Sequence, residues 1–141
     1  MTMNTTSRIL GEARKVRPPT KRELTDPEKA YLLTDPEKAY FYAERRMVRF
    51  PEGEAVIATD PYWAYHYARH IIKGRWPEAE PVIATNPLDA INYAWNVIGG
   101  RWPEGEATIA KDPIWAEKYL ELFPEAKLEW AMNGWLDWLD L

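Results

Sequence analysis

Cysteine is missing from the 141-residue chain, which excludes a disulfide framework and any thiolate nucleophile or redox pair. Serine occurs once, as Ser7 in the leader, and histidine twice, as His66 and His70. A serine nucleophile with an adjacent base has no footing here. There is no glycine-rich phosphate loop, because the paired Gly99 and Gly100 stand where a helix should stop. No apolar stretch approaches the roughly 20 residues that cross a bilayer. The first residues, MTMNTTSRILGEARKVRPPTKRE, lack the apolar core of a secretory signal. A cytoplasmic protein without cofactor or catalytic centre is the expectation.

Aromatic residues, by contrast, are plentiful: 8 Trp and 8 Tyr within 46% hydrophobic and 28% charged residues. That balance is the composition of a globular domain large enough to bury a modest core. Charge is spread unevenly along the chain. Residues 1–23 carry Arg8, Arg14, Lys15, Arg17, Lys21 and Arg22 against Glu12 and Glu23, a net of +4 in a chain of net −4. A basic arm is thus joined to an acidic body.

The body repeats itself every 26 residues. One copy runs ATDPYWAYHYARHIIKGRWPEAEPVI from Ala58, and the next runs ATNPLDAINYAWNVIGGRWPEGEATI from Ala84. A copy from Leu33 is one residue shorter, a copy from Ala110 drops the Gly-Arg-Trp joint, and Leu24–Leu32 is a short duplicate ahead of them. A period of this size marks an architecture in which each unit hides its apolar face by stacking on neighbours.

The recurring letters specify two helices per unit. Asp or Asn before Pro supplies an N-cap oxygen and a first helical residue that needs no hydrogen-bond partner. Ala64, Tyr67, Ala68 and Ile71 then follow at i, i+3, i+4 and i+7, as do Ala90, Tyr93, Ala94 and Val97. Gly74 and Gly100 are expected to end these helices in the left-handed region. Pro51, Pro77, Pro103 and Pro124, each followed by Glu, open a second and shorter helix, where the dipole accounts for the acid. Ile57, Ile83 and Ile109 close that helix on its apolar side, and Pro81 should make one copy irregular. The expected fold is all-α, a short α-solenoid-like array of helical hairpins. Its expected parts are a basic arm at 1–23, repeats at 24–127 and a Trp-rich capping or docking helix at 128–141.

Over roughly residues 24–123, and most specifically in the joint GRWPEAEPVIATNP at Gly74–Pro87, the chain resembles tandem repeats of large tailed bacteriophages and giant DNA viruses. The resemblance implies a phage or viral helical-repeat protein working in the host cytoplasm. It brings no catalytic motif and no residue role with it.

Positions that change between copies are expected to face outward. On the first helices these are Glu37/Tyr62/Leu88/Ile114, Lys38/Trp63/Asp89/Trp115, Tyr40/Tyr65/Ile91/Glu117, Phe41/His66/Asn92/Lys118 and Glu44/Arg69/Trp95/Glu121. Tyr and Trp bury large rigid areas while keeping a polar handle, which suits them to interfaces. Tyr62, Tyr65, His66, Arg69 and Trp95 are therefore the candidate partner surface, joined by Trp135 and Trp138 of the C-terminal segment. His66 and His70, at i and i+4, share a helical face, but a zinc site needs further ligands and neither histidine recurs in other copies. No metal is expected.

A helix carrying Trp135, Trp138 and Leu139 at i, i+3 and i+4 would cover the open end of the stack or dock on a partner. The function expected is a non-enzymatic module that binds a protein, and for a phage protein a host defence or regulatory factor. One rival is nucleic-acid binding through the basic arm, which the acidic repeats oppose. The other is self-assembly into a homo-oligomer through arm, body and Trp-rich tail. No membrane partner is implied.

Overall fold

A computed structural model describes residues 23–138; the basic arm expected at 1–23, apart from Glu23, lies outside the described residues, as does Leu139. Within 23–138 every regular element is helical. In chain order these are α1 (Asp26–Leu32), α2 (Pro36–Arg46), α3 (Pro51–Ile57), α4 (Pro61–Tyr67), α5 (Glu80–Ile83), α6 (Pro87–Tyr93), α7 (Pro103–Ala110), α8 (Pro113–Leu122) and α9 (Lys127–Met132).

The helix starts follow from the Asp-Pro and Asn-Pro pairs. The side chains of Asp35, Asp60, Asn86 and Asp112 accept from the N–H of Lys38, Trp63, Asp89 and Ile114 at 2.9–3.1 Å. Each following proline takes the first helical position, where its lack of a donor costs nothing. Threonine recurs one residue earlier for a different reason. Thr34, Thr59 and Thr85 donate their hydroxyls to the carbonyls of Tyr31, Val56 and Val82 at 2.6–2.7 Å, closing the end of the preceding helix. In the short duplicate the roles shift by one. Thr25 itself is the cap of α1 and forms a reciprocal box with Glu28.

Helix ends differ from expectation by one residue. After α4 and α6 the helix widens for a last turn, Ala68–Ile72 and Ala94–Ile98, with the N–H of Lys73 and Gly99 reaching back five residues to Ala68 and Ala94. The left-handed residue is accordingly Lys73 (φ 61°) or Gly99 (φ 76°), and not Gly74 or Gly100. The first copy also ends on a left-handed residue, Met47 (φ 55°), but without the widened turn. Two side chains thus occupy a conformation that favours glycine. In α5, Pro81 falls in the first turn of a helix only four residues long, against seven or eight in α3 and α7.

The first helices (α2, α4, α6, α8) pack side by side in sequence, α2 on α4, α4 on α6 and α6 on α8, and each also packs against a second helix (α3, α5, α7). Ala39, Ala43, Ala64, Ala68, Ala90, Ala94 and Ala116 are fully buried between them, as are Tyr67, Tyr93, Tyr119, Ile57, Ile83 and Ile109. Small alanines allow close backbone approach, and the tyrosines fill the space beside them. Gly53 shows how close the packing is, since a Cβ there would stand 2.4 Å from the Phe50 ring.

One hydrogen-bonded set recurs at every joint. The hydroxyl of Tyr67 accepts from the N–H of Phe50 (2.8 Å) and donates to Glu54 (2.6 Å), while Arg49 holds that carboxylate with two bonds of 2.8 Å. Tyr93, Trp76, Glu80 and Arg75 repeat the arrangement, and Tyr119, Trp102, Glu106 and Arg101 repeat it again. A tyrosine of one unit thereby fastens the joint of the unit before it. Arg49 holds the Glu54 carboxyl below its ordinary value, and Arg75 does the same for Glu80, each helped by its tyrosine. At Glu106 burial pushes upward, and the bonds from Arg101, Tyr119 and Trp130 more than offset it.

The C-terminal segment departs from the helix expected at 128–141. Regular helix stops at Met132, and Gly134 (φ 75°) turns the chain, so Trp135 and Trp138 lie in turns. Trp130 is the anchor instead. It is fully buried, stacks on Tyr119 at 5.0 Å, and donates its indole N–H to Glu106 at 2.9 Å. Arg101 adds an ion pair to Glu129 at 3.0 Å.

Candidate functional site

Two of the five changing first-helix positions are at odds with the outward-facing expectation. Tyr40, Tyr65 and Ile91 are 2–3% exposed, because the first helices lie side by side and this position points at the next one. The Tyr40 ring meets the Trp63 ring of the following unit at 5.1 Å. The Tyr65 hydroxyl accepts from Asn96 of the following unit (2.9 Å) and from Arg69 (3.0 Å). Tyr65 is therefore a packing residue rather than part of a partner surface. Only at α8, which no further first helix covers, does an exposed Glu117 take this place. Asp89 is also buried, at 6% exposure, and its carboxyl is pushed up to about 6 by that burial and by the charge of Asp60.

The remaining candidates fall into separate places. Tyr62, 50% exposed, and His66, half-buried, stand together on α4 with ring centroids 4.4 Å apart. Arg69 is exposed on the widened turn after α4, with its guanidinium turned to Tyr65. Trp95, 54% exposed, stands on the widened turn after α6, and the edge contact of its ring is with Phe123 at 5.9 Å. Among the described residues no ring contact joins Trp95 to Tyr62 or His66. Trp135 is half-buried against Trp130 at 5.9 Å, and Trp138 is partly exposed beside Glu117, Leu120 and Glu121.

What gathers around Tyr62 and His66 are residues outside the expected row. Trp63 receives the edge of Phe41 (5.3 Å) from α2 and of Tyr62 (4.8 Å) from its own helix. Tyr40 packs on Phe41 at 5.4 Å and donates its hydroxyl to Glu44 at 2.9 Å. Together Tyr40, Phe41, Glu44, Tyr62, Trp63, His66 and His70 line an open cleft of about 250 Å³ at α2 and α4. Burial, then the charges of His70 and Arg69, hold His66 below its ordinary value, against an upward pull from Glu44. Burial and the Glu44 carboxylate push the Tyr40 phenol up.

No family model, curated protein or solved structure matches the chain. The geometry therefore stands by itself. The rings of His66 and His70 stack nearly parallel at 5.5 Å, and among the described residues no three His, Asp or Glu side chains gather as a metal-binding set. The Arg–Glu–Tyr sets at the joints are committed to backbone and to one another. Among the described residues no helix is long and apolar enough to cross a membrane. In the α2–α4 cleft several large aromatic side chains from two helices reach solvent beside a carboxylate.

Proposed function

We propose that this chain is a non-enzymatic protein-binding module, built as a short α-solenoid-like array of hairpins. Its Trp130–Leu136 segment closes the C-terminal end of the array. Trp130 supports that role, since it supplies to Glu106 and Tyr119 the cover that a further unit would otherwise give. The partner docks on the aromatic face of α2 and α4. One observation carries this reading: Phe41, Tyr62, Trp63 and His66 cluster on adjoining helices, with Phe41 and Tyr62 38% and 50% exposed. An exposed group of large rings is the composition from which interface hot spots are made. The likeness of the joint sequence to repeats of large phages and giant viruses points to a host protein as the partner.

The test is affinity capture from host extract with wild type, with Phe41→Ala/Tyr62→Ala, and with Ile114→Ala/Leu128→Ala as a control elsewhere on the surface. The recovered protein is then purified and titrated calorimetrically. The double variant at the cleft is expected to weaken binding at least about 30-fold, as loss of two interface rings does, and the control to leave it unchanged. Equal affinity for all three proteins would remove this surface from the function.

A further inference from the structure

We infer that the α2–α4 cleft takes the side chain of an arginine presented by that protein partner. This deepens the function proposed above and rests on it. Three features of the cleft point to a guanidinium. First, its walls are ring faces and edges from Tyr40, Phe41, Tyr62 and Trp63, and a planar cation stacks on such surfaces with the ring quadrupole in its favour. Second, the lining includes Glu44, whose Oε2 accepts from the Tyr40 hydroxyl at 2.9 Å. Among the described residues no lysine or arginine forms an ion pair with Glu44, whereas Glu54, Glu80 and Glu106 at the joints are each held by an arginine. Among the described residues its other oxygen accepts no hydrogen bond, and the side chain is part of the cleft lining. Third, a cleft of about 250 Å³ suits one long side chain rather than a folded segment.

Arginine is favoured over lysine by shape. A guanidinium lies flat between rings while directing an N–H to Glu44, whereas an ammonium is a compact and strongly hydrated point charge. Burial, then the charges of His70 and Arg69, hold His66 below its ordinary value, and Glu44 is the carboxylate in the cleft lining.

The experiment uses the full chain and three small probes: N-acetyl-arginine amide, N-acetyl-lysine amide and N-acetyl-citrulline amide. Binding is followed by NMR on the Phe41, Tyr62 and Trp63 ring resonances. The arginine probe is expected to shift them saturably with a dissociation constant on the order of 10 mM. The lysine probe should bind at least threefold more weakly, and citrulline should give no saturation. Glu44→Gln keeps the acceptor for Tyr40 and the fold, and should lower arginine affinity about tenfold. Tyr62→Ala, at an exposed position, should do the same and serves if Glu44→Gln proves poorly folded.

An arginine probe that fails to saturate, binds no better than citrulline, or is indifferent to both variants overturns the inference. So does a lysine probe that binds as tightly. If partner capture still depends on Phe41 and Tyr62 in that event, the protein-binding function stands without the arginine. The chain's own basic leader is the rival occupant. Ring resonances that move when Arg14, Arg17 and Arg22 are changed to Gln in the full chain would assign the cleft to it and overturn the partner assignment.

Discussion

Tyr93→Phe removes a single oxygen and should unfasten a joint. In the native chain that oxygen accepts from the N–H of Trp76 at 2.8 Å and donates to Glu80 at 2.7 Å. Trp76 is 3% exposed, so its N–H has no water to turn to. Orphaning a buried donor costs about 1–3 kcal/mol, and a hydroxyl bond to a carboxylate contributes about 1.5–3 kcal/mol. Glu80 keeps both bonds from Arg75, which places the second contribution at its low end, and the total near 3 kcal/mol. For a helical domain of this size the midpoint of thermal unfolding should fall by about 10–15 °C. Tyr42 is the internal control. It occupies the same place in the first unit, is only partly buried, and among the described residues its hydroxyl bonds only with Arg46. Tyr42→Phe should cost less than about 0.5 kcal/mol.

The measurement is urea and thermal unfolding by circular dichroism at several pH values. Because the Glu80 carboxyl is held below its ordinary value, its contribution is complete above the unfolded glutamate pKa and is lost as pH falls through the folded one. The gap between wild type and Tyr93→Phe should therefore narrow in acid. Equal costs for Tyr42→Phe and Tyr93→Phe at neutral pH would refute the reasoning.

Other substitutions bear on separate features. Asp89→Asn should stabilise the fold by about 1–2 kcal/mol at pH 8. The advantage should vanish below the ordinary aspartate pKa, because a carboxyl raised to about 6 destabilises only when ionised; urea midpoints at about pH 3 and pH 8 check this. Trp130→Phe and Trp102→Phe both trim a fully buried indole, yet Trp130 donates to Glu106 while the N–H of Trp102 finds no acceptor. The first should cost about 3 kcal/mol and the second about 1 kcal/mol, read from the same unfolding curves. Lys73→Gly should raise stability by about 1 kcal/mol, since it relieves a left-handed side-chain residue at an exposed site. No gain in calorimetric melting would show that the widened turn imposes no strain.

Much of the fold was legible because its instructions are local. Asp-Pro and Asn-Pro place the helix starts through bonds within four residues, and the alanine–tyrosine spacing gives the buried stripe directly. What could not be read depends on how one unit meets the next. The helix dipole accounts for Glu52, Glu78 and Glu104 beside the prolines, and Glu54, Glu80 and Glu106 recur two residues later without standing out from them. Their partners, an arginine five residues earlier and a tyrosine 13 later, recur with the same period and give no contrast. Tyr65 was misplaced for a related reason. Variation between units marks a surface only where no neighbour packs, and the series Tyr40, Tyr65, Ile91 stays large and apolar until Glu117, where the row of first helices ends. The grouping of Phe41 and Glu44 with Tyr62 and Trp63 needed the lateral register of α2 on α4. In the C-terminal segment the helical spacing of Trp135 and Trp138 was overruled by Gly134.

The most direct measurement on the binding face is site-specific photocrosslinking. Tyr62 and Ile114 hold the same position in their units and are 50% and 71% exposed, but only Tyr62 has the cleft beside it. Benzoylphenylalanine at 62 should give one discrete adduct with the captured partner, and at 114 none. Adducts of equal yield at both sites, or at 114 alone, would contradict a function carried by the α2–α4 face.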